Sequence, residues 1–127
     1  MDDHRRPQAL VVEDDEGQRT LVAMLLESSN MDVLECESAE DAISILDQNG
    51  ASVCFLFTDV KLAGAMTGTA LAFEVGRRFP NIDIVVTSGA LPVEHLPANA
   101  KFIAKPWRGL DVLNAAQHAI TAGQGVS

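Results

Sequence analysis

The feature that most constrains the fold is the alternation of short apolar runs with segments of helical periodicity along nearly the whole chain. Five runs have the length and composition of buried strands, and polar or turn-forming residues bound them. They lie at residues 9–12, 32–36, 53–57, 82–86 and 101–104. This order predicts an α/β fold in which one doubly wound, five-stranded parallel sheet carries helices on both faces.

Between the runs, apolar residues recur at helical spacing. Helices are predicted over residues 16–29 and 69–78, and Pro80 ends the second of these. Another helix begins at Ser38, whose hydroxyl can cap the free backbone N–H groups. The last helix is expected to bury one face, formed by Leu110, Leu113, Ala116 and Ile120.

Polar side chains follow four of the five predicted strands at the point where each strand ends. In doubly wound folds ligands bind at the carboxyl ends of the strands, and strands one, three, four and five can lie side by side. We therefore predict one pocket that combines carboxylates, hydroxyls and an ammonium group. The residues that would form it are Glu13-Asp14-Asp15, Thr58-Asp59, Thr87-Ser88 and Lys105.

Taken singly, each of these motifs has a purely structural interpretation. The acids at residues 13–15 could complement the dipole of a helix N-terminus. Ser88-Gly89 could be an ordinary turn, and Lys105-Pro106 could be no more than the end of a strand. Their coincidence at four strand ends favours a common functional site.

The acids of such a pocket require a compensating charge. Two like unit charges about 4 Å apart repel by roughly 4 kcal/mol at an effective dielectric near 20, so gathered carboxylates take up protons or bind a cation. Oxygen ligands favour a hard ion, and Mg²⁺ suits a site that works beside a phosphate better than zinc does. The sequence therefore predicts a magnesium site.

Composition argues against several classes of partner. The formal net charge of -9 opposes binding to nucleic acid, and no apolar run approaches the roughly 20 residues of a membrane helix. The polar start of the chain has no apolar segment typical of a secretion signal. We therefore expect a cytoplasmic protein without membrane insertion, in which Cys36 and Cys54 are buried, reduced thiols. The histidines, His4, His95 and His118, are expected at the surface.

The length of 127 residues is that of one domain with one core. We assign the domain to residues 8–122. Residues 1–7 are predicted to form a disordered N-terminal arm, and the Gly-containing residues 123–127 a flexible tail.

The motifs together resemble the receiver domains of two-component response regulators, over residues 10–119. Residues 10–15, Leu-Val-Val-Glu-Asp-Asp, are similar to the acidic motif after the family's first strand. Asp59, in Phe-Thr-Asp-Val-Lys-Leu, matches the phosphoacceptor, and Ser88 matches the hydroxyl residue. Lys105, before Pro106, matches the lysine whose following peptide bond is usually cis. The resemblance implies a flavodoxin-like, CheY-like sheet of strand order 2-1-3-4-5.

The resemblance also implies a chemistry for the acids. Asp59 would accept a phosphoryl group from a histidine kinase or a histidine phosphotransfer protein, and the domain would catalyse only its own phosphorylation and dephosphorylation. Asp14, Asp59 and the backbone carbonyl of Lys61 would bind Mg²⁺, while Glu13 would act through water. No other cofactor is implied.

Further residues would carry the response to phosphorylation. Lys105 would pair with one phosphate oxygen, and Ser88 would donate to another. Phe102 stands at the family's aromatic switch position and would then become buried. This change would alter the surface of the fourth helix, fifth strand and fifth helix, to which a downstream protein target would bind.

Two stretches depart from the family pattern. Ala63 stands where the loop after the phosphoacceptor usually has proline, and the following residues fit a longer loop variant. Between Ser88 and Lys105, Pro92 and Pro97 leave little room for a helix. The fourth helix is therefore predicted to be short or irregular.

Several other functions compete with this interpretation. A phosphatase of the haloacid dehalogenase type would need an acid two residues after Asp59, where this chain has Lys61. In a flavin- or nucleotide-binding domain the acids at residues 13–15 would lie beside the phosphate of the ligand and would repel it unless a metal intervened. A receiver fold used only as a scaffold would not need the intact acids, hydroxyl and lysine. Between a stand-alone regulator and a receiver cut from a hybrid kinase or multidomain regulator, we favour the stand-alone form.

Overall fold

A computed structural model describes residues 6–90, 93 and 95–123. Its strands are β1 (Gln8–Val12), β2 (Asp32–Cys36), β3 (Val53–Asp59), β4 (Asp83–Ser88) and β5 (Ala100–Ala104). Its helices are α1 (Glu16–Glu27), α2 (Ala39–Asn49), α3 (Gly68–Arg78) and α4 (Gly109–Gly123), with a short 3₁₀ turn at Gly50–Ser52. The strands form one parallel sheet of order β2-β1-β3-β4-β5, which confirms the predicted fold class.

The sheet separates two apolar cores, because successive side chains of each strand point to opposite faces. Leu10 and Leu56 pack with α2 and α3 on one face. Val11 and Phe57 pack with α1 and α4 on the other. With both faces of the sheet covered, the carboxyl ends of the strands are left as the place where polar side chains can meet.

Side-chain caps fix where three of the helices begin. Asp15 accepts a hydrogen bond from the N–H of Gln18 at 2.8 Å, and Ser38 accepts one from the N–H of Asp41 at 3.1 Å. Thr67 caps α3 in the same way. Asp15 therefore has the helix-capping role that its motif allowed, while the two acids before it remain at the strand end.

The prediction for the buried face of the last helix was wrong in part. Leu110 is 61% exposed, and the buried residues of α4 are a valine and three alanines, Val112, Ala115, Ala116 and Ala119. Small side chains let a helix lie close to a sheet. The valine and alanine face of α4 therefore packs against the sheet, although larger apolar side chains stand at other positions of the same helix. Apolar spacing alone does not distinguish these two faces.

The described part of the segment between β4 and β5 is irregular, in agreement with the predicted short or irregular fourth helix. Among its described residues no helical turn is present, and Leu91, Pro92 and Glu94 lie outside the description. Asn99 donates from its side-chain amide to the carbonyl of Ile82 at 2.6 Å, which holds the end of the segment beside the sheet.

Other expectations concern the termini and the surface. Residues 1–5, with His4, and residues 124–127 lie outside the described ranges, so the proposed arm and tail remain predictions there. His95 and His118 are exposed, as predicted. Within the residues that the structure covers, no helix is both long and apolar enough to cross a membrane.

Both cysteines are free thiols, as predicted, but they are half-buried and not fully buried. Burial raises the pKa of Cys36 to about 12, and the nearby Asp41 carboxylate adds to the rise. Burial also raises the pKa of Cys54, with a contribution from Asp83. Both thiols are therefore protonated at neutral pH.

We expect iodoacetamide at pH 8 to alkylate Cys36 in the folded protein at least about a hundredfold more slowly than in the urea-unfolded chain, because the thiolate is the reactive form. The rate for Cys36 in the folded protein should rise with pH throughout the range 7 to 10, since a pKa of about 12 keeps its thiolate fraction far from saturation. Mass spectrometry of timed samples measures both rates. Equal rates in the folded and unfolded states would contradict this assignment.

Candidate functional site

The predicted site residues meet at the carboxyl ends of four neighbouring strands. The register pairs Val12 of β1 with Thr58 of β3, and Asp59 with Thr87 of β4. Ser88 pairs with Ala104 of β5, the residue before Lys105. Parallel pairing thus brings together side chains that lie far apart in sequence.

Asp59 and Lys105 form the central ion pair of this site. The Lys105 Nζ lies 2.6 Å from Oδ2 of Asp59, and their side chains are only 23% and 10% exposed. The backbone N–H of Lys61 donates to Oδ1 of Asp59 at 3.3 Å. Both carboxylate oxygens are therefore held, and a short charge-assisted bond fixes the lysine over one of them.

Glu13 lies at the end of β1, almost completely buried beside this pair. Its Oε2 accepts a hydrogen bond from the N–H of Asp15 at 3.0 Å. Burial raises the pKa of Glu13 to about 7, and the carboxylates of Asp59 and Asp14 add to the rise against Lys105 and the Asp15 N–H. The site thus has more negative charge than its single lysine balances.

This donor set fits a hard cation. The carboxylates at the site provide the oxygen ligands that Mg²⁺ prefers, and a divalent ion would relieve the repulsion that affects Glu13. Across the described ranges no three His, Cys, Asp or Glu side chains form a self-contained metal cluster. The predicted set does not need one, since it combines Asp14, Asp59 and the Lys61 carbonyl with waters and phosphate oxygens.

Ser88 and Phe102 lie on the β4–β5 side of the site. The Ser88 hydroxyl accepts a hydrogen bond from the N–H of Ala90 at 3.0 Å, while its carbonyl accepts from the N–H of Lys105. Phe102 is half-buried in β5, in register with Val86. The Lys105–Pro106 peptide bond is cis, in agreement with the expectation from the motif.

Gly68, the first residue of α3, is a site residue that the sequence analysis missed. A Cβ atom there would lie 1.8 Å from the carbonyl oxygen of Asp59, and the Gly68 N–H donates to the Val60 carbonyl at 2.8 Å. Thr58 donates its hydroxyl to the same Asp59 carbonyl. The only indication of this close approach in the sequence is that Gly68 directly follows the helix cap Thr67, a position where glycine has no capping role.

Arg19 was also missed. Its guanidinium donates to the backbone carbonyl of Glu13 at 2.9 Å and approaches the Glu35 carboxylate at 3.5 Å. It therefore fixes the backbone from which the acid pair projects. In the sequence, only their separation of six residues connects Arg19, on the predicted helix, with Glu13 before it.

An open cleft of about 480 Å³ lies beside Lys105. Its lining includes Leu21 of α1, Pro106 and Trp107. The Trp107 ring packs edge-on against Phe57 at a centroid distance of 5.8 Å. Trp107 and Lys105 line the same cleft, so we expect Trp107 emission to respond to changes at the site.

Comparisons with known proteins identify the class to which this fold and this site belong. The family described as response regulator receiver domain matches residues 9–117, so this chain belongs to that family.

Individual relatives agree with this assignment. The chain is 31% identical, over 103 residues, to the sensor kinase CckA of Brucella abortus (strain 2308). That match covers 77% of this chain and 11% of the kinase, so the chain spans only about a tenth of that relative's length.

Two solved structures have the same fold. The signal receiver domain of an HD domain-containing protein from Pseudomonas fluorescens Pf-5 superposes with a TM-score of 0.84 at 19% identity, over 96% of this chain and 100% of that one. The receiver domain of the hybrid histidine kinase CckA superposes with a TM-score of 0.77 at 23% identity, over 89% of this chain and 98% of that one. At these identities the likeness establishes the fold alone.

Proposed function

We propose that this chain is a phosphorylation-dependent receiver in a two-component phosphorelay. Asp59 accepts a phosphoryl group from the phosphohistidine of a histidine kinase or a histidine phosphotransfer protein. The observation that supports this most strongly is the 2.6 Å contact between Lys105 Nζ and Asp59 Oδ2 beside the acids of β1. Because of this contact, the proposed nucleophile Asp59 lies beside the lysine that would pair with the phosphate. The acids that would bind the cation follow β1 at the same end of the sheet.

The residues suggest how the transfer proceeds. A carboxylate oxygen of Asp59 attacks phosphorus, its P–O bond forms as the donor's P–N bond breaks, and the histidine nitrogen keeps the electron pair. Asp14, Asp59 and the Lys61 carbonyl would hold Mg²⁺, with Glu13 acting through water, and the bound ion would supply positive charge beside the phosphoryl oxygens. Lys105 pairs with one of these oxygens, and the Lys61 N–H keeps the attacking carboxylate oriented.

The Ser88 hydroxyl accepts its hydrogen bond from Ala90, so its own hydrogen is free to be donated to another phosphoryl oxygen. Movement of Ser88 would shift the β4–β5 side of the domain, where half-buried Phe102 can become more buried. In equilibrium terms the phosphoryl group stabilises one of two existing packings. The changed surface, which includes β5 and α4, then binds a downstream protein target in the cytoplasm.

The setting of the domain has two candidate forms. It acts either as a stand-alone regulator or as the receiver of a larger protein. The sensor kinase from Brucella abortus, of which the match covers only 11%, is an example of the second form. The length of the complete gene distinguishes them.

Incubation with acetyl phosphate and Mg²⁺ should add the mass of one phosphoryl group to the intact protein, because a small donor can reach the exposed edge of Asp59. Mass spectrometry measures the gain. Omission of Mg²⁺ or the substitution Asp59→Asn should abolish it. Equal phosphorylation of Asp59→Asn would refute the proposed acceptor.

Asp14→Ala should weaken Mg²⁺ binding by about tenfold or more, since it removes a direct carboxylate ligand. Titration of Trp107 emission with Mg²⁺ measures the affinity. Asp32→Ala, which removes an exposed acid at the opposite end of the sheet, is the control and should bind like the unmodified protein. An unchanged titration in Asp14→Ala would contradict its role as a ligand.

A further inference from the structure

The loop between β3 and α3, residues 60–67, is held by an acid from a different helix. Glu40 lies in the first turn of α2, and its Oε2 accepts hydrogen bonds from the backbone N–H groups of Ala65 and Met66, both at 3.2 Å. These partners are 25 and 26 residues away in sequence. The contact therefore joins two separate parts of the chain.

The conformation of the loop tip is compatible with this contact. Gly64 has a φ of +87°, a left-handed conformation that glycine adopts without strain, and a Cβ atom there would lie 2.8 Å from Glu40 Oε1. Next to it, Ala63 forms an isolated parallel bridge with Ser38, the cap of α2. The tip of the loop is thus fitted to the first turn of α2 through both its backbone conformation and its hydrogen bonds.

The same loop begins at the phosphoacceptor. The Lys61 N–H donates to Asp59 Oδ1, and the Gly68 N–H donates to the Val60 carbonyl. The base of the loop is therefore fixed to β3, while its tip is fixed to Glu40. Lys61, whose carbonyl is the proposed cation ligand, lies between these two anchors.

We propose that Glu40 is a positioning residue that orders this loop and so places the Lys61 carbonyl for cation binding at Asp59. This inference rests on the proposed function. A loop without its tip anchor samples more conformations, and the entropy lost when a cation orders it again lowers the affinity for that cation. Removal of a group that orients a metal ligand without touching the metal typically lowers the affinity for the metal.

Three variants test the proposal. Glu40→Ala removes both hydrogen bonds, Glu40→Gln keeps an oxygen that can accept both N–H groups, and Asp41→Ala removes a neighbouring exposed carboxylate from the same helical turn. Hydrogen exchange of the Ala65 and Met66 amides, measured by NMR without metal, reports the contact itself. Titration of Trp107 emission reports the affinity for Mg²⁺.

We expect Glu40→Ala to exchange these two amides about tenfold faster and to bind Mg²⁺ roughly threefold to tenfold more weakly. Glu40→Gln should recover most of both properties, and Asp41→Ala should match the unmodified protein. If Glu40→Ala leaves exchange and affinity unchanged, the proposal is wrong. It is equally wrong if all three variants lose the same affinity, because Glu40 would then act only as a distant negative charge.

Failure of the proposed function would appear differently. Absence of phosphorylation of the unmodified protein by acetyl phosphate and Mg²⁺ would overturn the receiver activity, and with it the functional meaning assigned to Glu40. The metal-free exchange rates would still decide whether Glu40 holds the loop. The two failures are therefore distinguishable.

Discussion

Replacing Gly68 with alanine is expected to lower the free energy of unfolding by about 2–3 kcal/mol and to slow phosphorylation of Asp59. An added methyl group would lie 1.8 Å from the Asp59 carbonyl oxygen and 2.9 Å from the Thr58 hydroxyl. Relief of this collision requires a shift of α3 or of the backbone that carries the phosphoacceptor. Urea unfolding measures the stability, and incubation with acetyl phosphate measures the rate.

Gly17→Ala is the matched control. Gly17 also lies in the first turn of a helix, but its nearest added contact, with Asp15, would be at 3.4 Å. Alanine in a helix is normally about 0.5–1 kcal/mol more stable than glycine, so Gly17→Ala should be neutral or stabilising. A Gly68→Ala variant as stable as this control would contradict the close approach of α3 to Asp59.

Lys105→Met is expected to reduce the rate of phosphorylation by roughly a hundredfold, the usual effect of removing one preorganised donor from a charged transition state. Its affinity for Mg²⁺ should move the other way and rise by roughly fivefold, because about 1 kcal/mol of repulsion between cations a few ångströms apart disappears. Rates of phosphorylation by acetyl phosphate and Trp107 titrations measure the two effects.

Opposite changes in rate and affinity separate this role from general damage to the fold. Lys101→Met removes the same charge from the other end of β5, where the side chain is exposed, and should alter neither quantity. If the Lys105→Met variant were phosphorylated at the normal rate, the proposal that Lys105 pairs with the phosphoryl group would be wrong.

Much of the fold follows from the sequence because the relevant signals are local. The apolar runs mark all five strands, and Ser38 caps α2 as its position indicates. The parallel order then brings the strand ends together, so Asp59 and Lys105 meet although neither residue identifies the other along the chain. The rule that parallel strands bring their carboxyl ends to one edge of the sheet predicts this meeting, although the sequence contains no direct information on contacts.

Other features depend on distances that no local pattern encodes. Leu110 is exposed while alanines of α4 are buried, which depends on how that helix packs. The crowding of Gly68 by Asp59 depends on the placement of α3, and the contact of Glu40 with Ala65 depends on the path of a loop. Sequence reasoning finds groups at predictable ends of elements, whereas residues that support them from neighbouring elements need coordinates.

The acceptor can be located chemically. Borohydride reduces an aspartyl phosphate to homoserine, so reduction of the protein after incubation with acetyl phosphate and Mg²⁺ marks the modified position permanently. Peptide sequencing by mass spectrometry should find homoserine in place of Asp59 and unmodified aspartate at position 14. Homoserine at any other position, with Asp59 unchanged, would contradict the account of this site.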